Sequence, residues 1–174
     1  SGTGSDVYVN IDGATNSVTF DNLNISVSKE YFDSINVGES SSPLTVNIRG
    51  NCAFEITLSS DEAQHVMRIE RPTRFAGTEK TEDSLRIVTS GGKAIYASNS
   101  LTFDTLDLAI DAAGGEDIDM GSIYALSADV GEGEQSVCRF VYSDVAIASE
   151  GGGFMLGSIG IEIQNSVLSM NCDG

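Results

Sequence analysis

Leu44-Thr45-Val46-Asn47-Ile48-Arg49-Gly50-Asn51-Cys52-Ala53-Phe54-Glu55-Ile56-Thr57-Leu58 is the stretch that decides the fold class. Leu44, Val46 and Ile48 alternate with Thr45 and Asn47. After the turn signal Arg49-Gly50-Asn51, Phe54, Ile56 and Leu58 alternate with Glu55 and Thr57. Successive side chains of an extended chain point to opposite faces, so each run predicts a strand with one face on a core. The same period of two recurs at Val7-Tyr8-Val9-Asn10-Ile11, Leu23-Asn24-Ile25-Ser26-Val27, Leu106-Asp107-Leu108-Ala109-Ile110 and Ile159-Gly160-Ile161-Glu162-Ile163. Shorter candidates lie at 17–20, 85–89, 94–96 and 137–142.

Between the runs stand Asp12-Gly13, Gly38-Glu39-Ser40-Ser41-Ser42-Pro43, Ser90-Gly91-Gly92, Gly114-Gly115 and Gly151-Gly152-Gly153. Many short strands separated by Gly- and Ser-rich turns predict an all-β protein, an immunoglobulin-like or jelly-roll β-sandwich. The best helical stretch, 60–69, is too short to hold a helix by itself. No internal repeat of fixed period stands out. The chain of 174 residues reads as an N-terminal extension, 1–15, followed by a single domain, 16–174.

Twenty-six acidic residues against nine basic ones give a net charge of −17. Such a surface repels phosphate backbones and anionic lipid, which disfavours nucleic-acid and membrane-surface partners. No apolar run approaches the ~20 residues that span a bilayer, so membrane insertion is not expected. Small polar residues outweigh Lys and Glu as solubilising groups, a balance that suits a secreted, extracellular β protein. The opening Ser1-Gly2-Thr3-Gly4-Ser5 reads as a processed or trimmed terminus. Cys52, Cys138 and Cys172 are too widely spaced for a zinc knuckle. They are candidates for one disulfide plus a free thiol, and Cys172 has two alternative partners.

Catalytic apparatus is sparse. His65 is the sole imidazole, no Gly-x-Ser-x-Gly elbow is present, and no phosphate-binding glycine loop follows a strand. With so many acids a carboxylate pair has no specificity, and without Trp the sugar-stacking platforms reduce to Tyr8, Tyr31, Tyr96, Tyr124 and Tyr142. The chain is therefore not expected to be an enzyme. No cofactor is expected except calcium, for which Glu116, Asp117 and Asp119 are the candidate ligands. The EF-hand spacing is absent there, and a solvated acidic loop is the alternative. The long acidic and glycine-rich region 114–134 reads as a surface excursion. Arg68, Arg71, Arg74 and Lys80 cluster in sequence and are expected to pair with nearby acids such as Glu70 and Asp83. Asn24-Ile25-Ser26 is a formal glycosylation sequon set inside a strand.

Asp6-Val7-Tyr8-Val9-Asn10-Ile11 behind a Gly/Ser leader, the pair of runs from Leu44 to Leu58, and a final run from Gly153-Phe154 to Gln164 together resemble a family. It is the bacterial chaperone–usher pilins, especially the archaic branch with spore-coat-protein-U-like domains. That resemblance implies an incomplete sandwich completed by the N-terminal strand of the next subunit, with Val7, Val9 and Ile11 as the donated residues. It implies a structural or adhesive subunit of a cell-surface filament. Its partners would be other subunits of the same filament, with a periplasmic chaperone and a host or surface glycan as further candidates. The pilins' paired N-terminal cysteines are not matched, and the chain runs past their last strand to Cys172. The alternative is a self-complete extracellular binding module for glycan or calcium.

Overall fold

A computed structural model describes residues 8–28, 33–57, 65–90, 93–113, 123–125, 137–150, 155–156 and 160–173. Every regular element among them is a strand. The first turn of chain holds β1 (Val9–Ile11), β2 (Ser17–Asp21) and β3 (Asn24–Val27). The second holds β4 (Ile35–Val37), β5 (Leu44–Arg49) and β6 (Asn51–Thr57), and the third β7 (His65–Ile69), β8 (Thr73–Ala76) and β9 (Ser84–Ser90). Next come β10 (Lys93–Ala97), β11 (Leu101–Asp104) and β12 (Asp107–Ala113), then β13 (Ile123–Ala125), β14 (Val137–Val141) and β15 (Asp144–Glu150). The last turn is β16 (Met155–Leu156), β17 (Gly160–Gln164) and β18 (Val167–Asp173).

Each strand pairs in parallel with the strand three places on, so every third strand joins one of three six-stranded sheets. The chain is therefore a parallel β-solenoid of six three-stranded coils. This corrects the expected β-sandwich. The strands themselves are present, but no two consecutive strands share a sheet, and neither an immunoglobulin-like nor a jelly-roll pairing occurs among the described residues. The Arg49-Gly50-Asn51 turn does not reverse the chain. A single left-handed residue, Gly50 at φ 63°, bends it from the second sheet into the third. Asn22, Thr105, Tyr142 and Asn165 take the same left-handed conformation at the equivalent corner of other coils. Only the third coil differs, with a longer loop at 77–83.

The corner repeats because its main chain is bonded from coil to coil. Asn22 N–H donates to the Arg49 carbonyl, Thr105 N–H to that of Val141, and Tyr142 N–H to that of Gln164, all at 2.9 Å. In the longer loop Gly77 N–H keeps the same bond, to the Asp104 carbonyl at 2.9 Å, and the buried Asp83 takes up the second coil's Gly50 N–H with its side chain. Its carboxylate accepts hydrogen bonds from Gly50 N–H (2.8 Å), Thr78 N–H (2.7 Å), the Thr78 hydroxyl (2.8 Å) and Glu79 N–H (3.2 Å).

Inside the coils, inward side chains stack in register. On the second sheet Val18, Val46, Phe75, Phe103, Phe140 and Ile163 occupy successive rungs. Phe75, Phe103 and Phe140 form an offset aromatic stack, with ring centroids 5.3 and 5.7 Å apart and planes within 12°. These rungs also expose the period hidden in the sequence. The step is 28 residues from Val18 to Val46, 29 to Phe75 and 28 to Phe103. It then becomes 37 to Phe140 and 23 to Ile163. Insertions at the corners blur the repeat.

One polar side chain crosses the stack. Arg71, at the first-to-second-sheet corner of the third coil, is fully buried. Its guanidinium donates to the main-chain carbonyls of Asp12 (3.2 Å), Gly13 (3.3 Å) and Thr15 (2.5 Å), which form that corner in the first coil. Asp12 organises the same corner by accepting from Ala14 N–H, Thr15 N–H and the Thr15 hydroxyl.

Two outcomes are expected. Phe103→Ala removes the middle ring of the aromatic stack and lowers unfolding free energy by about 3–5 kcal/mol in chemical denaturation. Burial pushes the Asp83 carboxyl up, but the hydrogen bonds from Thr78, Gly50 and Glu79 outweigh it and hold it below the ordinary value of 3.8. The stability it contributes is therefore complete above pH 3.8 and is lost as pH falls through the lowered folded value. Asp83→Asn flattens that acid limb of a stability–pH profile and costs about 1–3 kcal/mol at neutral pH.

Candidate functional site

The outward face of the first sheet carries a row of polar and aromatic side chains. Asn10, Asn36, Arg68 and Tyr96 sit at matched register positions on β1, β4, β7 and β10. Parallel pairing spaces such neighbours ~4.8 Å apart, which sets them in a straight line along the solenoid. Asn36 donates to the Asn10 side-chain oxygen at 3.3 Å. Arg68 donates through Nε and one terminal nitrogen to Glu70 Oε1, at 2.9 and 2.7 Å. Hydrogen bonding to Glu70 holds the Arg68 guanidinium above its ordinary value, against the opposing effect of desolvation.

Tyr96 is the centre of the row. The Arg68 guanidinium carbon lies 5.8 Å from its ring centroid, within cation–π range. The His65 ring packs at 5.0 Å, tilted by 46°. His65 is itself held by Asp33, whose Oδ1 accepts the His65 N–H at 3.2 Å and lies 3.5 Å from Nδ1. The phenol ring is thus positioned from two sides.

Beside Tyr96 opens a cleft of about 570 Å³. One wall is the 38–43 loop, contributing Glu39, Ser40 and Ser41. The other is the corner after β10, contributing Ser98 and Asn99, with Glu70 and Tyr96 between them. The lining side chains are hydroxyls, an amide, two carboxylates and one aromatic ring. None is cationic, and the nearby Arg68 is paired with Glu70. Such a site has little attraction for an anion, and it offers acceptors and donors to a neutral ligand rich in hydroxyl groups.

The residues singled out from sequence are dispersed. Val9 and Ile11 belong to β1 and pair with β4 of the same chain, so they are taken up in the first coil. The stretch set apart as an N-terminal extension therefore contributes a strand. Val7 lies outside the described residues, as do Glu116, Asp117 and Asp119. Among the described residues no group of three or more His, Cys, Asp or Glu side chains is placed to hold a metal. β13 interrupts the 114–134 region that was expected to be one excursion. Cys52 and Cys138 are buried free thiols. Cys172 lies on β18, four strand spacings along the third sheet from β6, which carries Cys52. That is ~19 Å, beyond the reach of a disulfide.

Of the clustered cations, Arg68 pairs locally with Glu70, as expected. Arg74 instead reaches across the sheet to Asp104 at 2.6 Å, and Lys80 reaches Asp144 at 2.9 Å. The cleft was not legible as a unit. Glu39, Glu70, Tyr96 and Asn99 are scattered over sixty residues, and only the coil repeat superimposes them.

Burial pushes the Cys138 thiol up to about 12 and also raises Cys52. Neither thiol is expected to react with Ellman's reagent in the native protein at pH 8. Both should titrate in denaturant, a contrast that a timed absorbance assay reads directly.

The chain matches no protein-family model, no curated protein and no solved structure.

Proposed function

We propose that this protein is an extracellular binding module in which the solenoid is the scaffold and the first-sheet cleft holds a neutral saccharide. The observation that carries the reading is Tyr96, fixed between Arg68 and His65 at the floor of an open cleft lined by Ser40, Ser41, Ser98, Asn99 and two glutamates. Sugars are recognised by stacking their C–H faces on a ring while carboxylates and amides pair with their hydroxyls. The volume falls within the ordinary range for small-ligand sites. The straight row from Asn10 to Tyr96 extends the polar face along the coil axis and suits an elongated ligand. No catalytic step is assigned to the cleft. The acidic surface and the excess of small polar residues support a location outside the cell.

The test is isothermal titration against neutral oligosaccharides and their uronic-acid counterparts. Binding of neutral chains, weakened about fivefold by Tyr96→Ala, is the expected result, since a stacking ring contributes on the order of 1 kcal/mol. Preference for the uronic acids, or no heat with any sugar, overturns the proposal.

A further inference from the structure

Arg68 touches two of the groups that the cleft offers to a sugar. It lies on β7, and Glu70 follows just past the end of that strand, two residues on and so on the same outward face. Tyr96 is opposite Arg68 on the next coil. Ser98, whose N–H donates to the Ile69 carbonyl at 3.0 Å, stands level with Glu70. These four residues mark out a patch about 6.6 Å long, two residues of strand, and ~4.8 Å wide, one strand spacing. A single pyranose ring with its hydroxyls covers such a patch.

The Arg68 guanidinium carbon is 5.8 Å from the Tyr96 ring centroid, and Nε and one terminal nitrogen turn to Glu70. Both of those hydrogen bonds end on one oxygen, Oε1. Among the described residues no group donates to Oε2, and the Glu70 side chain, 21% exposed, lines the cleft. A carboxylate oxygen has two acceptor positions, so Oε2 keeps both for a ligand. The main chain is fixed as well, since Glu70 N–H donates to the Val37 carbonyl at 3.0 Å.

We infer that Arg68 is the positioning residue of the cleft, holding the Glu70 carboxylate beside the Tyr96 ring so that the pair selects a pyranose unit with two adjacent equatorial hydroxyls. The unit lays a C–H face on Tyr96 while Oε2 accepts from the hydroxyl pair at its rim. Equatorial hydroxyls leave that face bare, whereas an axial one stands between sugar and ring. The inference rests on the saccharide reading of the cleft. Lysine is no substitute for Arg68, because an ammonium lacks the planar fork that serves a ring and a carboxylate together. Exposed ion pairs add little to stability, and the Arg68 side chain is 47% exposed, so the fold does not depend on this contact.

The experiment is isothermal titration of the 174-residue chain with cellotetraose, whose rings carry equatorial hydroxyls, and with β-1,4-mannotetraose, whose rings each carry an axial one. Cellotetraose is expected to bind more tightly. Glu70→Gln should weaken it about tenfold, the loss of a charged acceptor. Arg68→Met should weaken it about fivefold, the cost of ordering a released side chain. Because Arg68 acts through Glu70, the double variant should bind as weakly as Glu70→Gln alone and no worse. Arg68→Lys should bind no better than Arg68→Met, and far-UV circular dichroism should stay unchanged throughout. An Arg68→Met or Arg68→Lys protein that binds as the unaltered chain does, losses that multiply in the double variant, or a preference for mannotetraose overturns the inference. If other neutral oligosaccharides bind and neither tetrasaccharide does, the inference falls and the saccharide reading stands. If no neutral oligosaccharide binds, both fall.

Discussion

In-register stacking of like side chains in the coil interior is the constraint on which everything else rests. A three-residue strand such as β1 has no independent stability. It holds because each inward residue meets an equivalent residue ~4.8 Å above or below, and because its main-chain groups are bonded along the sheet. The aromatic column of Phe75, Phe103 and Phe140 fills the centre of three consecutive coils, and the isoleucines of the third sheet do the same on another wall. The corners have only to bend the chain without disturbing that register, which is why a single left-handed residue recurs there.

The strands were legible in the sequence and their arrangement was not, for one physical reason. Alternation at Leu44, Val46 and Ile48 reports that one face is buried, and a sandwich and a solenoid bury one face equally. What separates them is the identity of the pairing partner. That information lay in the step from Val18 to Val46, Phe75 and Phe103, close to 28 residues each time, before it lengthens to 37 and then shortens to 23. Gly50 read correctly as a bend, but the direction of a bend depends on how many residues take positive φ. Of the short helix-like stretch 60–69 the described part, His65–Ile69, is β7, whose Met67 and Ile69 join the first-sheet columns of Ile35 and Val37.

The candidate site shows the same limit. Arg68 and Glu70 are neighbours in sequence, and their pairing could be anticipated. Tyr96 and Glu39 are brought to that pair by one coil step in each direction, which no local pattern records. A solenoid converts distance along the chain into adjacency along an axis, so its outward faces become lines of residues drawn from evenly separated positions. The first sheet uses that geometry to align amides, a guanidinium and a phenol. The second pairs Arg74 diagonally with Asp104 on the next strand and sets Arg139 directly opposite Glu162.

Arg71 changes how the array behaves as a folding unit. In a solenoid whose coils touch only their neighbours, stability propagates link by link, and a terminal coil can peel away alone. Arg71 reaches from the third coil past the second to three carbonyls of the first. Opening the first coil therefore also breaks three charge-assisted hydrogen bonds made from the third. The first and third coils are thereby coupled directly, beyond the nearest-neighbour contacts that a linear chain of links provides.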